Sequence, residues 1–501
     1  MIEGLVDALV TVFTWPGPLL MVAGVLFGLL FGILPGVGGT PAMALLIPVT
    51  FGMEPSLALA FLLAANVSAG LGGQITAIIV NIPGDAPNAA TTFDGYPMAR
   101  KGRAAEALGA ATTGSVIGAV IGTVLLILMI PIARSVILSF SYPEFFMIAL
   151  TGLTLIAALT RGRTYKGLIS AGIGLAIAFI GLNPVTGTPR FTFEQLYLWD
   201  GIDIVPILIG LFAGSEVLSL FGRRRSVMEI RPEGSTGRPS TFLDGVRSTV
   251  RAWRTVIVSS VLGFLVGVVP GVGGTVSSFL AYGQAARMSR RPEEFGTGNV
   301  EGVIAAETAN DADKSGSLLP TIAFGIPGGV AMAVLLGALL LHGVPAGPNL
   351  LRNHIDVVYV LVVASIVPRL LAAAVVTAIG ARAVWFTRIR GEILAPLIAT
   401  MALVGVYSLR SQILDVVVLV IFGYVGYAME KHGFSRVALV IGVILGGLVE
   451  SAFHQTLATF GPAGFFTRPI ALVLLLVAIL SLLVPIVRAV RDRSGSSTSA
   501  A

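Results

Sequence analysis

The chain has 501 residues, 55% of them apolar and only 12% charged, with 61 glycines and a net charge of +6. A soluble chain carries about a quarter charged residues, so this composition lacks the polar surface of soluble domains, and its apolar content excludes disorder. The absence of cysteine excludes a disulfide scaffold and a thiolate metal site, and four scattered histidines argue against a histidine metal centre. A mean hydropathy of +0.92 points to an all-α polytopic membrane protein.

The N-terminal run carries Glu3 and Asp7 but no basic residue, unlike the positive start of a cleaved signal peptide. Uncharged stretches follow at Pro55 to Gly84, Ala107 to Ala133, Gly167 to Pro189, Thr255 to Ala286, Ser315 to Leu341 and Pro469 to Val487. Each is long enough for a hydrocarbon core, which takes roughly 20 residues of helix. Strongly basic loops contain Arg100 to Arg103, Arg161 to Lys166, Phe221 to Arg254, Arg382 to Arg390, Lys431 to Arg436 and Arg488 to Arg493. They alternate with loops holding the single residues Arg134, Arg190, Arg352, Arg410 and Arg468. The positive-inside rule places the basic set in the cytoplasm, with the N-terminus outside and the C-terminus inside. The positive charge is thus an orientation signal, and no motif beside it indicates nucleic acid.

The chain also repeats itself. Gly32 to Thr40 recurs as Gly267 to Thr275 with seven of nine positions identical, 235 residues later. Ala65-Asn66, Gly72 and Ile82-Pro83-Gly84 recur as Ala309-Asn310, Gly316 and Ile326-Pro327-Gly328 at an offset of 244. Fainter echoes pair Gly95-Tyr96-Pro97 with Gly343-Val344-Pro345, Pro143 with Pro396, and Glu216 with Glu450. Equivalent loops carry opposite charge character, so two inverted repeats are expected. The division is residues 1–222 for the first repeat, 223–254 for a basic cytoplasmic linker and 255–460 for the second repeat. An added C-terminal helix at 461–490 and a polar tail at 491–501 complete it. Inverted repeats are typical of secondary transporters, whose sites lie at the midplane between repeats.

Proline and glycine inside apolar segments free backbone groups that must be buried in protein or line a wet cavity. Broken or re-entrant helices are therefore expected at Pro35, Gly36, Gly38 and Gly39, and again at Pro270, Gly271, Gly273 and Gly274. A second pair of breaks falls at Asn81, Pro83, Gly84 and Asp85, and at Pro327 and Gly328. Helix N-termini at such breaks suit a carboxylate, and carbonyl ends suit a cation. The first pair is assigned to substrate and the second to a cation or hairpin tip, with close helix packing as the alternative use of the glycines.

Asn66 and Asn310 occupy equivalent places and fit either the site or an interhelical hydrogen bond. Thr40 and Thr275 could touch ligand or cap the next helix. Glu307, Asp311, Asp313 and Lys314 are costly at membrane depth and call for water or partners. Asp311 and Lys314 are spaced for a helical ion pair, and Lys314 is alternatively a partner for a substrate carboxylate. Asp94 is expected to organise its own loop. Glu216 and Glu450 are either proton-linked groups or interface anchors.

Two strings are more specific. Asn81-Ile82-Pro83-Gly84-Asp85 with Ala90-Thr91-Thr92-Phe93-Asp94-Gly95-Tyr96-Pro97-Met98-Ala99-Arg100-Lys101-Gly102-Arg103 closely resembles the large membrane subunit of the tripartite tricarboxylate transporters. Glu307-Thr308-Ala309-Asn310 and the run from Leu319 to Gly328 resemble the same subunit, and the resemblance extends from about residue 20 to about 460. It implies a permease of the bacterial inner membrane, without enzymatic activity or cofactor. The partners it implies are a small membrane subunit of about four helices and a periplasmic solute-binding protein. It also implies transport of citrate or other di- or tricarboxylates, coupled to sodium or to protons rather than to ATP. The chain departs from the family between Ala64 and Gln74 and at Asp311, Asp313 and Lys314, which places citrate itself in question. The competing classes are a passive anion channel and, more remotely, an intramembrane aspartyl hydrolase using Asp85 and Asp94.

Overall fold

A computed structural model describes residues 2–34, 37–138, 140–158, 164–183, 186–222, 240–379 and 391–496. Pro35 and Gly36 of the first break lie outside the described residues, as do Arg161, Arg163, Arg223 to Arg238, and Arg382 to Arg390. The first half comprises α1 (Ile2–Phe13), α2 (Gly17–Ile33), α3 (Gly39–Leu46), α4 (Pro55–Val80), α5 (Thr92–Arg100), α6 (Ala104–Leu138), α7 (Tyr142–Ala158) and α8 (Thr164–Ala178). A two-residue hairpin, Gly181–Leu182 against Pro189–Arg190, precedes α9 (Ile204–Ile209), which passes through a π turn into α10 (Ser215–Gly222). After α11 (Phe242–Arg251) the second half comprises α12 (Trp253–Val268), α13 (Gly273–Met288), α14 (Val300–Phe324), α15 (Val330–Leu341), α16 (Pro348–Asn353) and α17 (Ile355–Ile379). It continues with α18 (Gly391–Arg410), α19 (Ile413–His432), α20 (Arg436–Phe460), α21 (Gly464–Thr467) and α22 (Pro469–Ser496).

The architecture is that of an all-α polytopic membrane protein. Among the described residues, five helices are long and apolar enough to cross a membrane, or seven if the bent pairs α1–α2 and α11–α12 each make one span. Three of the uncharged stretches are not single spans. The helix in Gly167 to Pro189 stops at Ala178, Thr255 to Ala286 breaks after Val268, and Ser315 to Leu341 breaks after Phe324. The last two interruptions carry a glycine in the left-handed region, Gly273 (φ 75°) and Gly325 (φ 68°), where a side chain is strained and a helix ends readily.

The two halves are built alike around α4 and α14, both almost wholly buried. Side chains cap both helices at the start, Glu54 bonding the Ser56 and Leu57 amides and Asn299 the Glu301 amide. Left-handed residues end both, Asn81 (φ 58°) and Gly325. Against α4 runs α2, so close that a Cβ at Gly28 or Gly32 would strike the carbonyl of Ala65 or Ala69. Against α14 runs α12, where Gly263 and Gly267 meet the carbonyls of Ala309 and Asp313 in the same way. Each contact is its counterpart's equivalent at the offsets found in the sequence. Many glycines thus do serve close packing, which lets dispersion and backbone contacts hold helices together where lipid offers no hydrophobic drive.

The order of these contacts makes α2 parallel to α4 and α12 parallel to α14. Chain then returns through α3 to the start of α4, and through α13 to the start of α14, so each broken pair enters and leaves at one end. Between halves the sense reverses. Glu307 reaches Asn88, which is bonded to the Gly70 carbonyl, while Lys314 further along α14 reaches back to Val67. Helices α4 and α14 are therefore antiparallel. The surrounding helices are exchanged: α6 packs on α14 and its counterpart α17 on α4, while α8 packs on α20 and α19 on α9 and α10.

End-to-end contacts respect the charge pattern. Lys101 and Arg103 donate to the carbonyls of Thr297 and Gly298, Ser248 bonds Glu106, and Lys166 bonds the His432 carbonyl. At the other end Arg190 pairs with Glu450, Arg410 with Asp203 and Arg468 with Glu144. Single cysteines replacing Arg100 and Arg352 are expected to react with an impermeant maleimide from opposite faces of the membrane, and labelling from the same face would contradict this arrangement.

Candidate functional site

The breaks in α2–α3 and α12–α13 converge near the middle of the antiparallel pair. Between them lies a cavity of about 250 Å³. The first half contributes Thr40, Asn66 and Asp85, and the second contributes Gly271 to Thr275, Asn310, Asp313 and Lys314. A larger groove along α12, lined by Ile257, Val261, Leu265 and other aliphatic side chains, offers no polar side chain to an ion.

Both short helices begin at this cavity without a side-chain cap. The N-cap residues are Gly38 for α3 and Val272 for α13, and neither supplies an acceptor to the first amides. Thr40 and Thr275 are therefore not caps but cavity-lining residues. Uncapped amides carry the positive end of the helix dipole, the arrangement that holds an anion. Gly38 (φ 71°) leaves the space taken by the Asp85 carboxylate, and Gly39 lies against Asn66. Pro270 sits in the break just before the lining residues. Asn310 is 1% exposed, and neither its amide nitrogen nor its oxygen has a hydrogen-bond partner.

The remaining sequence candidates stand back from the cavity. Asn81 ends α4, Gly84 packs against Gly32 and Gly73 beside Pro83, and Gly328 after Pro327 packs on Ser317 while its carbonyl accepts from Gly271. Glu307 accepts from Asn88 (2.9 and 3.2 Å) and from the Thr91 hydroxyl. Asp311 is bound by Lys314 (3.3 Å), as the spacing predicted, and also by Arg369 (2.9 Å). Arg369 is 1% exposed on α17 and went unremarked in the sequence. Its signal was a lone cation amid the apolar run of that helix, which by cost alone demands a partner. Lys314 can reach Asp311 because Gly70, its own repeat equivalent, has no side chain to stand in the way of the ammonium.

Asp94 does not organise its own loop. Its Oδ1 accepts from the amides of Gly296, Gly298 and Asn299 (2.9, 2.7 and 2.8 Å), and its Oδ2 accepts from the Tyr282 hydroxyl (2.8 Å). The TTFDGYPMARKGR string is thus a clamp on the start of α14, completed by Lys101 and Arg103. Asp85 and Asp94 have no partner in common, so the pair does not form a dyad. Glu450 is held by Arg190 through two bonds (2.7 and 3.0 Å), the arrangement of an interface anchor.

An all-helical membrane protein with uncapped helix ends around a polar cavity has the construction of a transporter. Residues 19–441 match the model of the tripartite tricarboxylate transporter TctA family, and the chain belongs to that family, a family of transporters. It is 34% identical over 475 residues, 94% of either chain, to an uncharacterized 52.8 kDa protein in the TAR-I ttuC' 3' region of Agrobacterium vitis. An uncharacterized protein in the TAR-II ttuC' 3' region of the same organism is 32% identical over 236 residues, 46% of this chain and 98% of that one. No solved structure matches.

Replacing Asp94 by Ala strands the buried amides of Gly298 and Asn299 and is expected to cost about 3 kcal/mol, read as a lower Tm of the detergent-solubilised chain; an unchanged Tm would remove the clamp. Asp311→Leu leaves two cations unpaired and should cost about 3–5 kcal/mol. Arg369→Met should cost less, because Lys314 still pairs with Asp311; the reverse order in thermal unfolding would contradict the triad.

Proposed function

We propose that the chain is the permease subunit of a secondary active, cation-coupled importer of organic carboxylates, citrate-like or other organic acid anions, in a bacterial inner membrane. The observation that carries this reading is the polar cavity onto which the uncapped starts of α3 and α13 open, with Asn66 and Asn310 beside them. Family membership implies a tripartite system, so a periplasmic binding protein delivers the anion and a small membrane subunit, of about four helices, completes the permease.

Two inverted repeats, with the N-terminus periplasmic and the C-terminus cytoplasmic, suit this task. The antiparallel course of α4 and α14 and the meeting of Lys314 with its equivalent Gly70 support the inversion. In alternating access, each re-entrant pair opens the cavity to one side in turn. Carboxylate oxygens take the free amides, and sodium neutralises the load near the second pair of breaks, Asn81 to Asp85 and Pro327 to Gly328. Protons are the alternative coupling ion.

The test is uptake of labelled carboxylates by cells producing all three components, with sodium or potassium and with or without the binding protein. Asn66→Ala and Asn310→Ala are each expected to abolish sodium-dependent uptake while leaving membrane abundance intact, and normal uptake in both would refute the assignment.

A further inference from the structure

The repeat lets the two helix starts at the cavity be compared atom by atom. Gly39 is the first residue of α3, and its equivalent at the 235 offset, Gly274, is the second residue of α13. The atoms nearest a Cβ built on Gly39 are the Asn66 carbonyl (2.8 Å), the Asn66 Nδ2 (2.9 Å) and the Ala69 Cβ (3.0 Å). Those nearest a Cβ built on Gly274 are the Asp313 Oδ2 (3.2 Å), the Pro87 Cγ (3.2 Å) and the Asn310 Oδ1 (3.3 Å). Asp313 is the 244-offset equivalent of Ala69, so at one position the second repeat has exchanged a methyl for a carboxylate.

That exchange adds a buried anion to one end of the cavity. At the α3 end the uncapped amides, the Asn66 nitrogen and the Thr40 hydroxyl can donate, and the carboxylate there, Asp85, is half-buried and already accepts the Ala86 amide through Oδ1 (2.8 Å). At the α13 end a carboxylate and an amide oxygen stand in front of the helix start. Asp313 is 4% exposed and its Oδ1 has no hydrogen-bond partner; the Asn310 oxygen, 1% exposed, has none either. Buried acceptors left unpaired cost free energy until a donor reaches them, and both face the cavity. A second substrate carboxylate there would meet Asp313 as a like charge. The Lys314 ammonium lines the cavity too, but Asp311 and the Val67 carbonyl already occupy it in part.

We infer that Asp313 and Asn310 form a subsite for a hydrogen-bond donor on the substrate, a hydroxyl or an ammonium group, while the α3 end takes the carboxylate. The transported molecule is then a carboxylic acid with a donor group at its far end, where a symmetric site would take a second carboxylate. This rests on the carboxylate reading above and narrows it.

Three probes of one chain length isolate the far end: 4-hydroxybutyrate, 4-aminobutyrate and succinate, titrated calorimetrically into the full chain in lipid nanodiscs with sodium present. The wild type is expected to bind the hydroxy or the amino acid about tenfold or more tighter than succinate, and the preferred one names the donor. Asp313→Ala, which restores the residue of the first repeat, should reduce that ratio about tenfold or reverse it. The isosteric Asp313→Asn should lose 4-aminobutyrate first and keep 4-hydroxybutyrate, because an amide oxygen still accepts but carries no charge. Tighter binding of succinate by the wild type would overturn the subsite, as would an unchanged ratio in both variants. A variant that altered only the sodium requirement would overturn it too. Failure of all three probes with the wild type would count against the carboxylate reading itself.

Discussion

A helix broken inside a bilayer leaves amides and carbonyls that lipid cannot satisfy, and much of this molecule follows from how those groups are housed. Helices α2 and α12 end beside the middles of α4 and α14, so their breaks must be shielded by protein or face water. Glycines at 28, 32, 263 and 267 bring both helices into backbone contact with α4 and α14, which seats the breaks against the buried centre. Because α4 and α14 run antiparallel, the two breaks approach from opposite ends and meet. The polar cavity is where shielding stops, and it is bounded by helix starts that carry no cap.

Holding α4 and α14 in register needs contacts between the two halves, and several of these are polar and buried. Asp94 grips three amides at the start of α14, and Glu307 on α14 is gripped in turn by Asn88 and Thr91. Within the second half, Asp311 gathers Arg369 from α17 and Lys314 from its own helix, and Lys314 also reaches the Val67 carbonyl of the first. A charge at membrane depth is expensive alone, so each of these groups is tolerable only with its partners in place. The same price of isolation explains why a string as conspicuous as TTFDGYPMARKGR serves as a clamp rather than as a ligand site.

Pseudo-symmetry also makes departures from it informative. Ala69 and Asp313 stand at equivalent points before equivalent helix starts, yet one is a methyl and the other an anion. Gly70 and Lys314 are equivalent and in contact, and the missing side chain of one makes room for the ammonium of the other. Asp313 and Lys314 thus lie at one of the two helix starts, with no charged counterpart at Ala69 and Gly70 in the first half.

Much was legible in the sequence because it depended on composition and spacing. Apolar runs made a helical membrane protein, repeated proline and glycine marked the breaks, and the repeat grouped Thr40, Asn66, Gly271, Gly273, Gly274, Thr275 and Asn310, which line one cavity. Asp94 was misread because its partners lie about two hundred residues away, and hydrogen bonds between backbone amides and a distant carboxylate leave no periodic trace. The partner of Arg369 and the uncapped state of α3 and α13 were invisible for a related reason, since a cap or an ion pair is defined by what approaches in space. Local chemistry determined which segments could break and where charge would be costly. Only the tertiary structure decided which of those charges neutralise each other and which are left facing the cavity, because that depends on the antiparallel crossing of α4 and α14.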